Sequence, residues 1–216
     1  MNVAPRIAAG MRAALGRRDA ELVAGARSLG WKLGLTVPAV QEALGLDGPV
    51  AGFLTTGSQL APGSETSLAG FTAAFGEPEV AIHVGEDGAV AGLGAAIELV
   101  DIDLPFKDVE AILAGNVFHR AVVLGPIHEG ATLDGVTARM TKSGEPAGEA
   151  LPAEVVGDPA EVVRFVAAYL EPYGGELRPG EVIIAGSLIS PVAVEGGDRF
   201  EVDLGPLGAL ALNLAG

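Results

Sequence analysis

Residues 75–101 read FGEPEVAIHVGEDGAVAGLGAAIELVD. Apolar residues alternate through Val80, Ile82 and Val84, a Gly-Glu-Asp-Gly break follows at 85–88, and a second apolar run carries Glu98. That is the pattern of two antiparallel strands joined by a tight turn. On a strand, residues two apart share a face at ~3.3 Å rise per residue, so Glu77 and Glu79 present carboxylates ~6–7 Å apart. With the turn centred on Glu86 and Asp87, Glu98 is predicted opposite Phe75, diagonal to Glu77 and on the same face. A bulge or helical turn within AGLGAA (91–96) would alter that register.

Two acids alternating along a solvated strand form an ordinary polar face. Glu98 is different, because it interrupts a run that should be hydrocarbon. Between Lys32 and Lys107 there is no Lys or Arg, while ten acids occur. Three converging carboxylates there would need a cation supplied by Lys32, by a distant segment, or by a metal ion. All-oxygen ligation favours Mg²⁺ or Mn²⁺ over zinc or copper.

Elsewhere, GDPAEVVRFVAAYLEPYGG (157–175) predicts a helix with Asp158 as N-cap, Pro159 at the first helical position and a stripe of Val162, Phe165, Val166, Tyr169 and Leu170. Three short runs after it, EVIIAGSLI, RFEVDL and GALALNLA, read as strands. Residues 1–30 read as a helical segment of two helices, Arg6 to Arg18 and then DAELVAGARSLG, with Asp19 as cap and Gly30 past the end. From Trp31 to Phe75 the chain reads as short strands and loops. The expectation is an α+β, β-dominated fold with a few flanking helices, residues 31–216 forming a single domain.

A net charge of −15 is unevenly spread: residues 1–32 hold six bases and two acids, which leaves −19 on the remainder. So acidic a body repels a phosphate backbone, which argues against nucleic acid as a partner. The absence of cysteine excludes a disulfide framework and thiolate chemistry. The first residues lack a continuous apolar stretch of signal-peptide type, and no run has the length and apolarity of a membrane span. A cytoplasmic protein without membrane association is expected.

Taken in order, GWKLGLTVPAVQEALGLDGPVAGFL, GEPEVAIHVG, AAIELVD, GNVFHRAVVLG and the stretch from Gly174 to Ala215 resemble segments of the 2-oxopent-4-enoate (2-hydroxypentadienoate) hydratase and 4-oxalocrotonate decarboxylase family, within the fumarylacetoacetate hydrolase superfamily. The resemblance covers about residues 25–214. It implies a mixed β-sandwich roll, bound Mg²⁺ or Mn²⁺, and a homo-oligomer. The family's metal carboxylates fall on Glu77, Glu79 and Glu98, its lysine on Lys32, and its Gly-Ser after the penultimate strand on Gly186 and Ser187. Its Asp-Asn pair reads Gly115-Asn116, so one carboxylate is missing while Asn116 stands as a candidate substrate contact. A basic residue common after the third glutamate is Asp103 here, the segment between Glu79 and Glu98 is short, and the N-terminal region is shorter than usual.

The implied activity is metal-dependent addition of water to a short 2-oxo or 2-hydroxydienoic acid. Decarboxylation of a 2-oxo acid, C–C hydrolysis of an acylpyruvate and a non-catalytic, metal-stabilised subunit are the alternatives. Lys32 is expected to face the substrate carboxylate or to act as an acid or base, and Ser187 to hydrogen-bond that carboxylate. His83 shares strand parity with Glu77 and Glu79 and is a candidate base. His119 lies just after the segment lacking the Asp and is a candidate to take over part of its role, while His128 is expected in an exposed turn.

Overall fold

The computed structural model describes residues 4–102 and 108–216, so Asp103 lies outside the described residues. The helices are α1 (Ala4–Val23), α2 (Pro38–Leu44), α3 (Val109–Ala114), α4 (Pro152–Val156) and α5 (Pro159–Leu170). Strands β1 (Ser28–Gly34), β2 (Val50–Thr55), β3 (Gln59–Leu60), β4 (Glu65–Ser67), β5 (Ala74–Val84), β6 (Val90–Asp101) and β7 (His119–Leu124) occupy the first part of the chain. The remainder are β8 (His128–Glu129), β9 (Ala138–Lys142), β10 (Glu145–Ala150), β11 (Val182–Ile184), β12 (Val192–Ala193), β13 (Arg199–Asp203) and β14 (Ala209–Ala215).

Two sheets result. The larger runs β2-β1-β11-β5-β6-β7-β3, with β12 beside β5 and β8 beside β6, and the smaller runs β10-β9-β13-β14-β4. The first and last strands of the larger path, β2 and β3, are joined by only Thr56 to Ser58, which forces the sheet to curl.

Strand alternation divides the larger sheet into two faces. Val80, Ile82, Leu93, Ala95, Ile97 and Leu99 point outward into the main core, which they share with Trp31, Val166, Met140 and Phe200. The opposite, concave face carries a separate small cluster of Leu54, Ala81, Ala96, Val122, Val182 and Ile184. Lys32, Glu77, Glu79 and Glu98 share the parity of that second cluster. Gly30 permits the tight β1–β11 pairing: its φ is +136°, and a Cβ there would fall 2.0 Å from the Val182 carbonyl oxygen.

The β5–β6 hairpin carries the site, and its register differs from the one expected. Glu98 pairs with Glu77, and Phe75 pairs with Val100. The turn is longer than a two-residue loop, with the Gly85 N–H donating to Ala89 O and the Gly88 N–H to Gly85 O, and a bulge between His83 and Val84 precedes it. Together these shift the pairing by two residues. A two-residue shift preserves the face, so Glu98 moves from diagonal to directly opposite Glu77.

Two further expectations are corrected. α1 is a single helix through Asp19, and β1 begins at Ser28, so the helical segment is shorter than residues 1–30 and Gly30 lies inside a strand. α2 occupies a stretch read as strands and loops; none of its residues is buried, so no apolar stripe announces it. α5 follows its prediction closely: the Asp158 carboxylate accepts from the Ala160 N–H, and Val162, Val166 and Leu170 are buried.

Candidate metal centre

Glu77 and Glu79 project from the middle of β5, and Glu98 from β6 beside them. One carboxylate oxygen of each lies within 4.8 Å of the others. Glu79 and Glu98 are fully buried and Glu77 is partly exposed, so the cluster has one open side.

Lys32 reaches the cluster from β1. Its Nζ donates to both oxygens of Glu98, at 2.6 and 2.7 Å, and to Val117 O at 3.0 Å. Burial works against its charge, but Glu98, Glu77 and Glu79 outweigh that and raise its pKa above the ordinary lysine value. Lys32 is therefore a fixed ammonium whose three donors are all engaged.

The glutamates divide. Burial also pushes Glu98 upward, yet the Lys32 charge and the hydrogen bond with His119 hold it down at about 2. Glu77 is pushed up to about 8 by burial and by the Glu98 charge, with Lys32 opposing. Glu79 is raised well above the carboxylate range by burial, then by Glu98 and Glu77. One ammonium thus balances one carboxylate. A divalent cation would balance the other two.

Glu79 supplies the sharpest test of fit. Its Oε2 accepts from the Gly186 N–H at 2.7 Å, while its buried Oε1 has no hydrogen-bond partner among the described residues. An orphaned buried carboxylate oxygen costs free energy unless something positive meets it. Gly186 is required for this contact: its φ is +98°, and a Cβ would lie 2.7 Å from Thr36 Cγ2. The residues present fit a hard divalent cation held by oxygen.

The other expected residues are placed as follows. Ser187 follows Gly186, but its hydroxyl donates to Ile189 O at 2.6 Å. The Asn116 amide is committed to β2: Oδ1 accepts from the Phe53 N–H at 2.7 Å and Nδ2 donates to Phe53 O at 2.9 Å. Asn116, Val117 and Phe118 all have positive φ, near +61°, +52° and +65°, which turns the chain sharply after α3 and aims Val117 O at Lys32. His83 shares the face of Glu79 but stands four residues farther along β5, ~13 Å at strand rise, outside the cluster. Burial lowers its pKa, which favours neutral imidazole. His128 is half-buried on β8, beside Leu93.

His119 is the histidine that meets the cluster. Its Nδ1 lies 2.6 Å from Glu98 Oε1 and its Nε2 lies 2.8 Å from Ser58 Oγ. A bulge between Leu99 and Val100, where β6 meets β7, puts His119 opposite Val100 and so on the Glu98 face. A cavity of about 1050 Å³ opens beyond it, lined by Arg17, Glu21, Ser58, Asn116, His119 and Arg120 among others.

Residues 49–215 match the fumarylacetoacetate (FAA) hydrolase C-terminal family. The chain is 32% identical over 208 residues to a 2-hydroxyhexa-2,4-dienoate hydratase of Comamonas testosteroni, covering 87% of this chain and 78% of that protein. Against a 2-keto-4-pentenoate hydratase of Paraburkholderia xenovorans the identity is 30% over 206 residues, covering 86% and 76%. Among solved structures, a 4-oxalocrotonate decarboxylase from Pseudomonas putida, complexed with magnesium and adipate, superposes with a TM-score of 0.84 at 21% identity, covering 93% of this chain and 83% of the other. That likeness speaks for the fold.

Proposed function

Because this chain belongs to the fumarylacetoacetate hydrolase C-terminal family, we propose that it is a divalent-metal-dependent hydro-lyase that adds water to a short unsaturated 2-oxo acid of the 2-hydroxypenta-2,4-dienoate type. The observation that carries this reading is the carboxylate cluster: among the described residues Glu77, Glu79 and Glu98 converge with a single ammonium, and Glu79 Oε1 is buried without a partner. The relatives named as dienoate and pentenoate hydratases set the substrate class.

A divalent ion, Mg²⁺ or Mn²⁺, held by Glu77, Glu79 and Glu98 would supply Lewis acidity to the carboxylate and 2-oxo oxygens of such a substrate. The protein's own groups set the surroundings. Lys32 holds Glu98 ionised and in place. The Gly186 N–H orients Glu79 through Oε2, and Oε1 would be the oxygen offered to the ion. Ser187, next to Gly186, would contact the substrate carboxylate once its hydroxyl turns from Ile189 O. The concave apolar cluster of Leu54, Ala81, Ala96, Val122, Val182 and Ile184 keeps water from the closed side.

Hydration is favoured over C–C hydrolysis because the relatives of about 30% identity are named as dienoate and pentenoate hydratases. In the cell we expect a cytoplasmic homo-oligomer. No helix among the described residues is long and apolar enough to cross a membrane. The test is product identification by proton NMR after incubation with 2-hydroxypenta-2,4-dienoate and, in parallel, with 4-oxalocrotonate and an acylpyruvate. A 4-hydroxy-2-oxo acid formed from the first substrate alone supports hydration. Carbon dioxide release or C–C cleavage would move the assignment within the superfamily, and no product with any of the three would leave a metal-stabilised subunit.

A further inference from the structure

The motif GNVFHRAVVLG contains a histidine that the proposed chemistry does not use, although it touches the cluster at a fully buried glutamate. We infer that His119, backed by Ser58, is a positioning residue that fixes Glu98 as a metal ligand. The inference rests on the metal reading of the carboxylate cluster and concerns how that site is held.

Glu98 receives three hydrogen bonds: Oε1 from Lys32 at 2.6 Å and from His119 at 2.6 Å, and Oε2 from Lys32 alone at 2.7 Å. The two oxygens are therefore unequal. His119 anchors Oε1, leaving Oε2 as the less committed atom. An ionised carboxylate only accepts, so the ring hydrogen belongs on Nδ1, and Nε2 accepts from Ser58 Oγ–H at 2.8 Å. Ser58 Oγ also lies 3.3 Å from Thr55 O, a longer contact. The serine thus complements the tautomer that Glu98 sets.

Burial supports a positioning role. His119 is 8% exposed, and its ring stands between Glu98 and the 1050 Å³ cavity, which Ser58 also lines. With His119 removed, one oxygen of a fully buried glutamate would lose a charge-assisted hydrogen bond and gain access to that cavity, and Lys32 would become its only support. Partners that orient a ligating side chain typically contribute ~10–100-fold in metal affinity.

The experiment is a Mn²⁺ titration followed by the electron paramagnetic resonance signal of the free ion, on the full chain and on His119→Ala, His119→Asn, His119→Gln and Ser58→Ala. Thermal midpoints in EDTA report whether each variant folds. Weakening by ~10–100-fold is expected for His119→Ala. His119→Asn should recover most of the affinity because its amide nitrogen reaches the place of Nδ1. His119→Gln, whose amide nitrogen mimics Nε2, should not, and Ser58→Ala should lose less than His119→Ala. At saturating Mn²⁺ the kcat of each variant should return towards that of the unaltered protein. Equal affinities across the folded variants, or a kcat deficit that persists at saturating Mn²⁺, would overturn the inference. Failure of the unaltered protein to bind Mn²⁺ would remove the metal reading as well, which separates the two failures.

Discussion

Glu77 and Glu98 stand directly opposite one another in the β5–β6 ladder, two acids at paired positions of adjacent strands. Like charges so placed destabilise a sheet by ~0.2–1 kcal/mol. Glu77→Gln should therefore raise the thermal midpoint of the metal-free protein at pH 9, where both acids are charged, while abolishing the stabilisation that Mg²⁺ gives. A lower midpoint in EDTA would show that the pair is not under repulsion.

The same pair fixes a pH dependence. Glu77 is raised to about 8 in the folded protein, against 4.5 for the ordinary group. Between those values the folded state holds a proton that the unfolded chain has lost, so metal-free stability should fall as pH rises from 4.5 to 8, with Glu79, also raised, acting in the same sense. Glu98, held at about 2, contributes in the opposite sense, its stabilisation being lost only as pH falls towards 2. Metal binding must displace the protons on Glu77 and Glu79, so Mg²⁺ affinity should climb as pH rises through about 8. Denaturation midpoints in EDTA across pH 5–9, with Glu77→Gln as a control of reduced slope, check both.

Lys32→Met should leave Glu98 buried with His119 as its only partner. Breaking a buried ion pair typically costs ~3–5 kcal/mol, and the metal-free variant should be destabilised on that scale. Mg²⁺ should then restore more stability than it gives the unaltered protein, because the ion would replace the missing charge. Equal Mg²⁺ stabilisation in both would mean that Lys32 and the ion do not share Glu98.

Asn116→Ala tests a structural role. Its amide satisfies both backbone groups of Phe53, and each orphaned buried group costs ~1–3 kcal/mol. A stability loss of ~2–5 kcal/mol should appear in urea denaturation with EDTA present, without substrate. An unchanged midpoint accompanied by a raised KM would instead assign Asn116 to substrate.

His83→Ala should retain most of the activity, since His83 is four strand residues beyond Glu79 and outside the cluster. Complete loss of turnover with unchanged Mn²⁺ binding would instead identify His83 as the base for an attacking water.

The three glutamates were legible because strand parity survives an even slip: the turn and bulge moved the pairing by two residues and left every side chain on its expected face. His119 was only partly legible. Its approach to Glu98 depends on a bulge at the β6–β7 junction, a tertiary event with no period in the sequence. Asn116 drew attention as a polar residue in a recognisable motif, but its partner is the backbone of Phe53, and backbone partners leave no residue signature. The continuous α1 and the exposed α2 escaped for related reasons. Asp19 is as compatible with an exposed helical face as with a cap, and α2 buries no residue to set a period.

The most direct measurement is the ultraviolet absorbance of 2-hydroxypenta-2,4-dienoate with purified protein, in Mg²⁺ and again in EDTA, beside Glu79→Gln. The account predicts loss of the dienol band with Mg²⁺ that EDTA abolishes and that Glu79→Gln does not show. A band consumed equally in EDTA, or by Glu79→Gln, would contradict a reaction that depends on metal held by the carboxylate cluster.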